Sequence, residues 1–258
     1  MHCVRRLLLC SLIATAAGLV ACGGGGGGGA GSSQSDQSAE GVYGGTLNGS
    51  ASSAFQLLIL ENGEFWSMYG TQTSTAFGIA GFIQGSGNSS NGSFTSSNTK
   101  DFGFAPAIAA STNATFNAAA KTISGTLTST AGAVTFNGGP IAGSLYDYNA
   151  AASLSTVSGA WTATSLAGES IALNIQPAGS FTATSGLGCN FSGTIAPRAS
   201  GKNVFNVSLT FGAAPCALAG QSATGIAVAY PLSSGRTQLL VSVVDSARTY
   251  GTAVFGTR

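Results

Sequence analysis

Phe55-Gln56-Leu57-Leu58-Ile59-Leu60-Glu61-Asn62-Gly63-Glu64-Phe65-Trp66-Ser67-Met68-Tyr69 reads as one β-hairpin. Apolar side chains at Phe55, Leu57 and Ile59 alternate up to a turn at Asn62-Gly63, and Phe65 restarts the return strand, which is a strong short-range β signal. Successive side chains of a strand point to opposite faces, so Phe65 and Tyr69 share one face and Trp66 and Met68 the other. With one side facing water, Trp66 and Met68 form an exposed apolar pair and a candidate ligand or partner contact. The other arrangement is a two-sided strand between two halves of the protein.

The hairpin recurs. At an offset of 116 residues, Phe55, Leu57, Ile59, Gly63, Phe65 and Gly70 fall on Ile171, Leu173, Ile175, Gly179, Phe181 and Gly186. At an offset of 112, Phe77-x-Ile79-x-Gly81-x-Ile83 matches Cys189-x-Phe191-x-Gly193-x-Ile195; at 100, Ala114, Phe116, Ala119 and Gly125 match Ala214, Cys216, Ala219 and Gly225. Gly41-Val42-Tyr43 opens the first half and Gly159-Ala160-Trp161 the second. Further strands are predicted at residues 123–127, 134–136, 204–211, 225–230, 238–244 and 252–255, with 146–157 as the join, and helical periodicity is hard to find after residue 22. The expectation is an all-β protein with two tandem antiparallel barrel-like or sandwich domains of about 7–8 short strands each. Their limits are 41–150 and 151–258. The strands look shorter than the roughly 9–11 residues of a membrane-spanning barrel, which disfavours an embedded one.

Composition agrees with an exported, loop-rich β protein. Glycine supplies 39 of 258 residues and charged residues only 7%, far below the usual quarter, so hydroxyls and amides must wet the surface. Without Arg5 and Arg6, seven basic face eight acidic side chains. That balance leaves no footprint for nucleic acid or anionic head groups.

The Gly-x-Trp of residues 159–161, with Gly-x-Tyr at 41–43, is similar to the first-strand signature of lipocalin-like (calycin) β-barrels. The resemblance implies eight-stranded barrels with Trp161 and Tyr43 closing one end, and an apolar ligand in the mouth.

At the N-terminus, Leu19-Val20-Ala21-Cys22 resembles the lipobox of bacterial lipoproteins. Arg5 and Arg6 precede an apolar run from Leu7 to Val20, too short to span a bilayer that needs about 20 residues. Residues 1–21 therefore read as a signal peptide. The resemblance implies acylation of Cys22, with palmitate-type chains holding the protein to the membrane. Gly23 after the cysteine, in place of an aspartate, implies the outer membrane, on its periplasmic or surface face. Residues 22–40, with glycine from Gly23 to Gly29, form a flexible linker with an end-to-end distance on the order of 25 Å. No strand precedes that run and no Gly-Lys-Ser/Thr follows it, so nucleotide binding is discarded.

Of five cysteines, Cys3 and Cys10 leave with the signal peptide and Cys22 is the lipidation site, leaving Cys189 and Cys216. One pair in an exported domain reads as a disulfide; a metal site lacking further Cys or His ligands and a reactive thiol are the rivals. The repeat then predicts that Phe77 and Phe116, aligned with the two cysteines, touch each other in the first half. Catalytic assemblies are mostly excluded, because the only histidine is His2, which removes the Ser-His-Asp, Cys-His and imidazole-metal arrangements. Ser97-x-x-Lys100 falls in a polar loop rather than at a helix start. Glu61 and Glu64 flank the hairpin turn, and an acid–base role for them requires a cleft and a raised pKa. Asp147 and Asp245 stand alone. No catalytic residue, cofactor or metal is expected. The leading function is a membrane-anchored, non-enzymatic binding or structural module with an envelope protein or an apolar ligand as its partner; its rivals are a carrier of an apolar ligand and a carboxylate-dependent hydrolase.

Overall fold

Seventeen strands follow one another in the computed structural model, which describes residues 37–72, 77–141, 143–232 and 234–258. Cys22 and the glycine run lie outside the described residues. In the first half the strands are β1 (Gly41–Leu47), β2 (Ser50–Ile59), β3 (Glu64–Gln72), β4 (Phe77–Ser86), β5 (Asn88–Ser90), β6 (Ser93–Asp101), β7 (Ile108–Asn117), β8 (Thr122–Ser129) and β9 (Gly132–Gly139). The second half holds β10 (Gly159–Ser165), β11 (Ser170–Ile175), β12 (Ser180–Ser185), β13 (Asn190–Pro197), β14 (Phe205–Phe211), β15 (Ser222–Pro231), β16 (Thr237–Asp245) and β17 (Gly251–Thr257). A 3-10 turn, Leu154–Thr156, precedes β10.

Each half is a meander that closes on itself. β10 to β17 form an eight-stranded antiparallel barrel sealed by β10 against β17. The first half closes through β1–β9 and through a short β4–β6 ladder, Ile83 with Asp101 and Gln84 with Lys100, leaving β5 as a hairpin outside the ring. The sandwich alternative is therefore resolved as two eight-stranded barrels.

The repeated hairpin turn has a local cause. Gly63 and Gly179 sit at φ of +78° and +89°, and a Cβ on either would lie 2.3 Å from the carbonyl of Gly87 or Ile195. Only glycine satisfies both demands. This match also fixes the true register of the next strand, because Phe65 pairs with Gly85 and Phe181 with Gly193. The pairing of Gly81 with Gly193 expected from sequence is thus four residues out.

A second correction concerns Phe77 and Phe116. Phe77 begins β4 at one end of its barrel and packs outside it, whereas Phe116 points inward near the far end of β7. They do not meet, because Cys216 lies in the β14–β15 loop, which has no equivalent within β7.

Burial divides the apolar side chains into three groups: one inside each barrel and a third between them. The seam takes Leu58, Trp66, Met68 and Phe82 from the first barrel and Ile226, Val228, Tyr230 and Leu240 from the second. Trp66 and Met68 are only 5% and 8% exposed, so β3 is two-sided and neither residue offers an open face. Polar contacts stitch the same seam: Arg198 Nε to Glu61 Oε1 at 2.7 Å, and Arg248 to Gln84 Oε1 at 2.6 Å and to the carbonyls of Gln84 and Asn98. The strand-length argument against an embedded barrel fails, since β2, β4, β7 and β15 reach 10 residues. The outward faces decide instead: β12 and β14 expose Thr182, Thr184, Asn206, Ser208 and Thr210, where a lipid-facing band would be apolar.

Candidate functional site

One end of each barrel is closed in the same way. Trp161 donates its Nε1–H to the carbonyl of Val157 at 2.7 Å, four residues back, and Tyr43 donates its hydroxyl to the carbonyl of Ala39 at 2.7 Å, also four back. The incoming chain is thus folded under the barrel floor. In the second barrel Arg258 lies over the indole, 4.0 Å from its centroid, and donates to the carbonyls of Ser158 and Thr156. Burial, reinforced by the Glu40 charge, pushes the Tyr43 hydroxyl up to about 12.

The opposite ends hold cavities. The second barrel encloses about 880 Å³, walled by side chains such as Ile171, Leu173, Phe181, Leu209, Phe211 and Val243. The cause lies partly in β15, whose inward positions Ala223, Gly225, Ala227 and Ala229 are small while Ile226, Val228 and Tyr230 face the seam. The larger side chains of that strand are spent on holding the barrels together, leaving the interior under-filled. Polar groups of this cavity sit near its rim and are engaged locally: Ser165 Oγ accepts from Glu169 N–H and Ser185 Oγ from Cys189 N–H.

Cys189 and Cys216 form a disulfide. It joins the β12–β13 and β14–β15 loops at the rim, in the sequence Gly-Ala-Ala-Pro-Cys-Ala-Leu-Ala-Gly of residues 212–220. Leu187, beside it, is 72% exposed, and Tyr250 and Phe104 are also exposed. The first barrel has its own cavity of about 390 Å³, to which Phe104 contributes, while the adjacent Ala105 lines the larger one. Ala107 N–H donates to the carbonyl of Thr249 at 2.8 Å. The two openings therefore lie side by side, bordered by apolar side chains.

The glutamates of the hairpin are elsewhere. Glu64 Oε1 accepts from Trp66 Nε1, and Glu61 is bound by Arg198 across the seam. Burial raises the Glu61 carboxyl, but the hydrogen bond and charge of Arg198 outweigh it and hold the group below its ordinary value. That direction is opposite to the one a proton donor needs. No grouping of three or more His, Cys, Asp or Glu able to hold a metal occurs among the described residues.

Sequence patterning singles out neither Arg258 nor Asp101, and it places Tyr69 on a strand face without its partner Asp101. Arg258 sits outside the Gly-x-Trp signature, and the polar stretch from Ser97 to Lys100, which reads as a loop, belongs to β6. Its inward positions Phe94, Ser96, Thr99 and Asp101 are separated by an irregularity between Ser96 and Thr99, which breaks the period of two.

The chain matches no protein-family model and no curated protein. Among solved structures it is similar to a protein of unknown function of the DUF3598 family from Nostoc punctiforme, with 14% identity, 84% of this chain and 94% of that chain covered, and a TM-score of 0.25.

Proposed function

We propose that the protein is a lipid-anchored envelope protein that carries an apolar small molecule inside its second barrel, without catalysing a reaction on it. The observation that carries this reading is the cavity of about 880 Å³, within the range of roughly 300–1,000 Å³ typical of small-molecule sites. An eight-stranded barrel can be filled by its own side chains or can hold one ligand. Here the floor is plugged by Trp161 and Arg258, and the apolar wall favours a ligand that loses little on leaving water. The exposed Leu187 and Tyr250 at the rim suit a passage between a membrane or a partner and the cavity.

The anchor rests on the lipobox at Leu19–Cys22 and on the linker that follows. Acylated Cys22 would hold the barrels within a few tens of ångströms of the outer membrane, on either face. The test is native mass spectrometry of the protein isolated from its own envelope, followed by organic extraction. An apolar compound bound at one per chain supports the reading, and a protein that is repeatedly empty overturns it.

A further inference from the structure

We propose that the first barrel is a second ligand site of different chemistry, selective for a cationic amphiphile: an alkyl chain ending in an ammonium group. Its cavity has two unlike walls. Phe55, Leu57, Leu127, Val134 and Phe136 form an apolar wall from β2, β8 and β9, while Ser67, Tyr69, Asp101 and Thr112 form a polar one from β3, β6 and β7. The second barrel has no such polar wall at depth.

Asp101 is the centre of that wall. It is 9% exposed, and its Oδ1 accepts the Tyr69 hydroxyl at 2.7 Å and the Gly103 N–H at 2.8 Å. The seat is tight: a Cβ on Gly81 or Gly103 would fall 2.3 or 1.9 Å from the Tyr69 hydroxyl oxygen. Burial, aided by the Asp101 hydrogen bond and charge, raises the Tyr69 pKa and keeps it a donor.

This carboxylate has hydrogen bonds but no counter-charge. No lysine, arginine or histidine lines the cavity, and the ion pairs among the described residues involve only Arg198 and Lys202. Lys100, one position along β6, alternates to the other face. Residues 73–76, between β3 and β4 in sequence, are Thr-Ser-Thr-Ala and include no lysine, arginine or histidine. A carboxylate in an apolar cavity without a partner is costly. An ammonium group would supply both the charge and charge-assisted hydrogen bonds, while its alkyl chain would lie against Phe55 and Phe136. An anionic head group would be repelled.

The site is separate from the second-barrel cavity, and the test keeps them apart. Full chain carrying C22S, so that no lipid is attached, is titrated calorimetrically with decylamine, decanol and decanoate. Ala223→Trp blocks the second barrel, and Asp101→Asn or Leu127→Trp alters the first. In the A223W chain, decylammonium should bind at one per chain, about tenfold or more tighter than decanol, with decanoate weakest. Adding D101N should remove the preference, and L127W should remove binding. Amine binding that disappears with A223W alone, or a preference that survives D101N, overturns the proposal. If D101N does not fold, equal affinity of the A223W chain for decylamine and decanoate overturns it instead.

Discussion

Arg258 lies 4.0 Å from the centroid of the Trp161 indole and reaches past it to the carbonyls of Thr156 and Ser158. One side chain thereby ties the end of β17 to the turn that enters β10 and seals the floor of the second barrel. A cation–π contact contributes about 0.5–2 kcal/mol and a charged hydrogen bond about 1.5–3 kcal/mol, with solvent lowering both at this exposed residue. R258A should therefore lower the urea stability of the protein by about 1–2 kcal/mol and shift Trp161 fluorescence, whereas R236A, at the same end and with its guanidinium on the carbonyl of Thr257, should change little.

The seam should make the barrels unfold together. W66A removes a large buried side chain stacked on Phe82, and such truncations cost about 3–5 kcal/mol. Calorimetry should show a single transition for the native protein and a lowered, broadened or split one for W66A. Independent barrels would instead give two transitions before any substitution.

The disulfide closes a span of 27 residues, for which loop entropy gives about 3–4 kcal/mol. Replacing both cysteines by alanine should lower stability by that order, and a thiol assay on the denatured, unreduced protein should find neither cysteine free.

Alkaline pH should unfold the protein through its tyrosines. Burial raises the pKa of Tyr43, Tyr69, Tyr146, Tyr148 and Tyr230, that of Tyr43 to about 12. A raised folded-state pKa gives stability that is complete below the ordinary tyrosine value near 10 and is lost as pH climbs through the folded value. Ultraviolet titration should show these phenols ionising with the unfolding transition, and Y43F should flatten the loss of stability between about pH 10 and 12. Glu61 works the other way: its lowered pKa gives stability above its unfolded value that fades as acid protonates it, so E61Q should reduce the acid dependence.

The membrane anchor has its own test. Expressed in a Gram-negative host with labelled palmitate, the full chain should take up label and sediment with membranes, and C22S should do neither. An unlabelled wild-type chain would contradict the lipobox reading.

The sequence carries the class of fold in its strict alternations. Phe55 to Ile59 and Ile171 to Ile175, with their glycine turns, mark the same hairpin twice, and the barrels repeat it. Register was harder to read. In a chain rich in Gly, Ala, Ser and Thr, the Gly81–Gly193 match and the Phe116–Cys216 match look as good as true ones, and only inter-strand pairing separates them. The cavity of the second barrel was legible only as a consequence of closure, because a run such as Ala227-Val228-Ala229-Tyr230 does not say which of its faces turns inward. Asp101 was hidden for another reason: a polar side chain facing an interior reverses the usual pattern, and the irregularity before it removes what periodicity remained.

The central claim, an apolar ligand in the second barrel, is tested most directly by calorimetric titration of decanol into the C22S chain with and without A223W. The predicted result is a second-barrel site in the parent chain that the tryptophan eliminates, leaving only the weaker first-barrel binding that L127W removes, while the thermal transition is retained. Decanol binding that is absent from the parent chain, or unchanged by A223W, would contradict it.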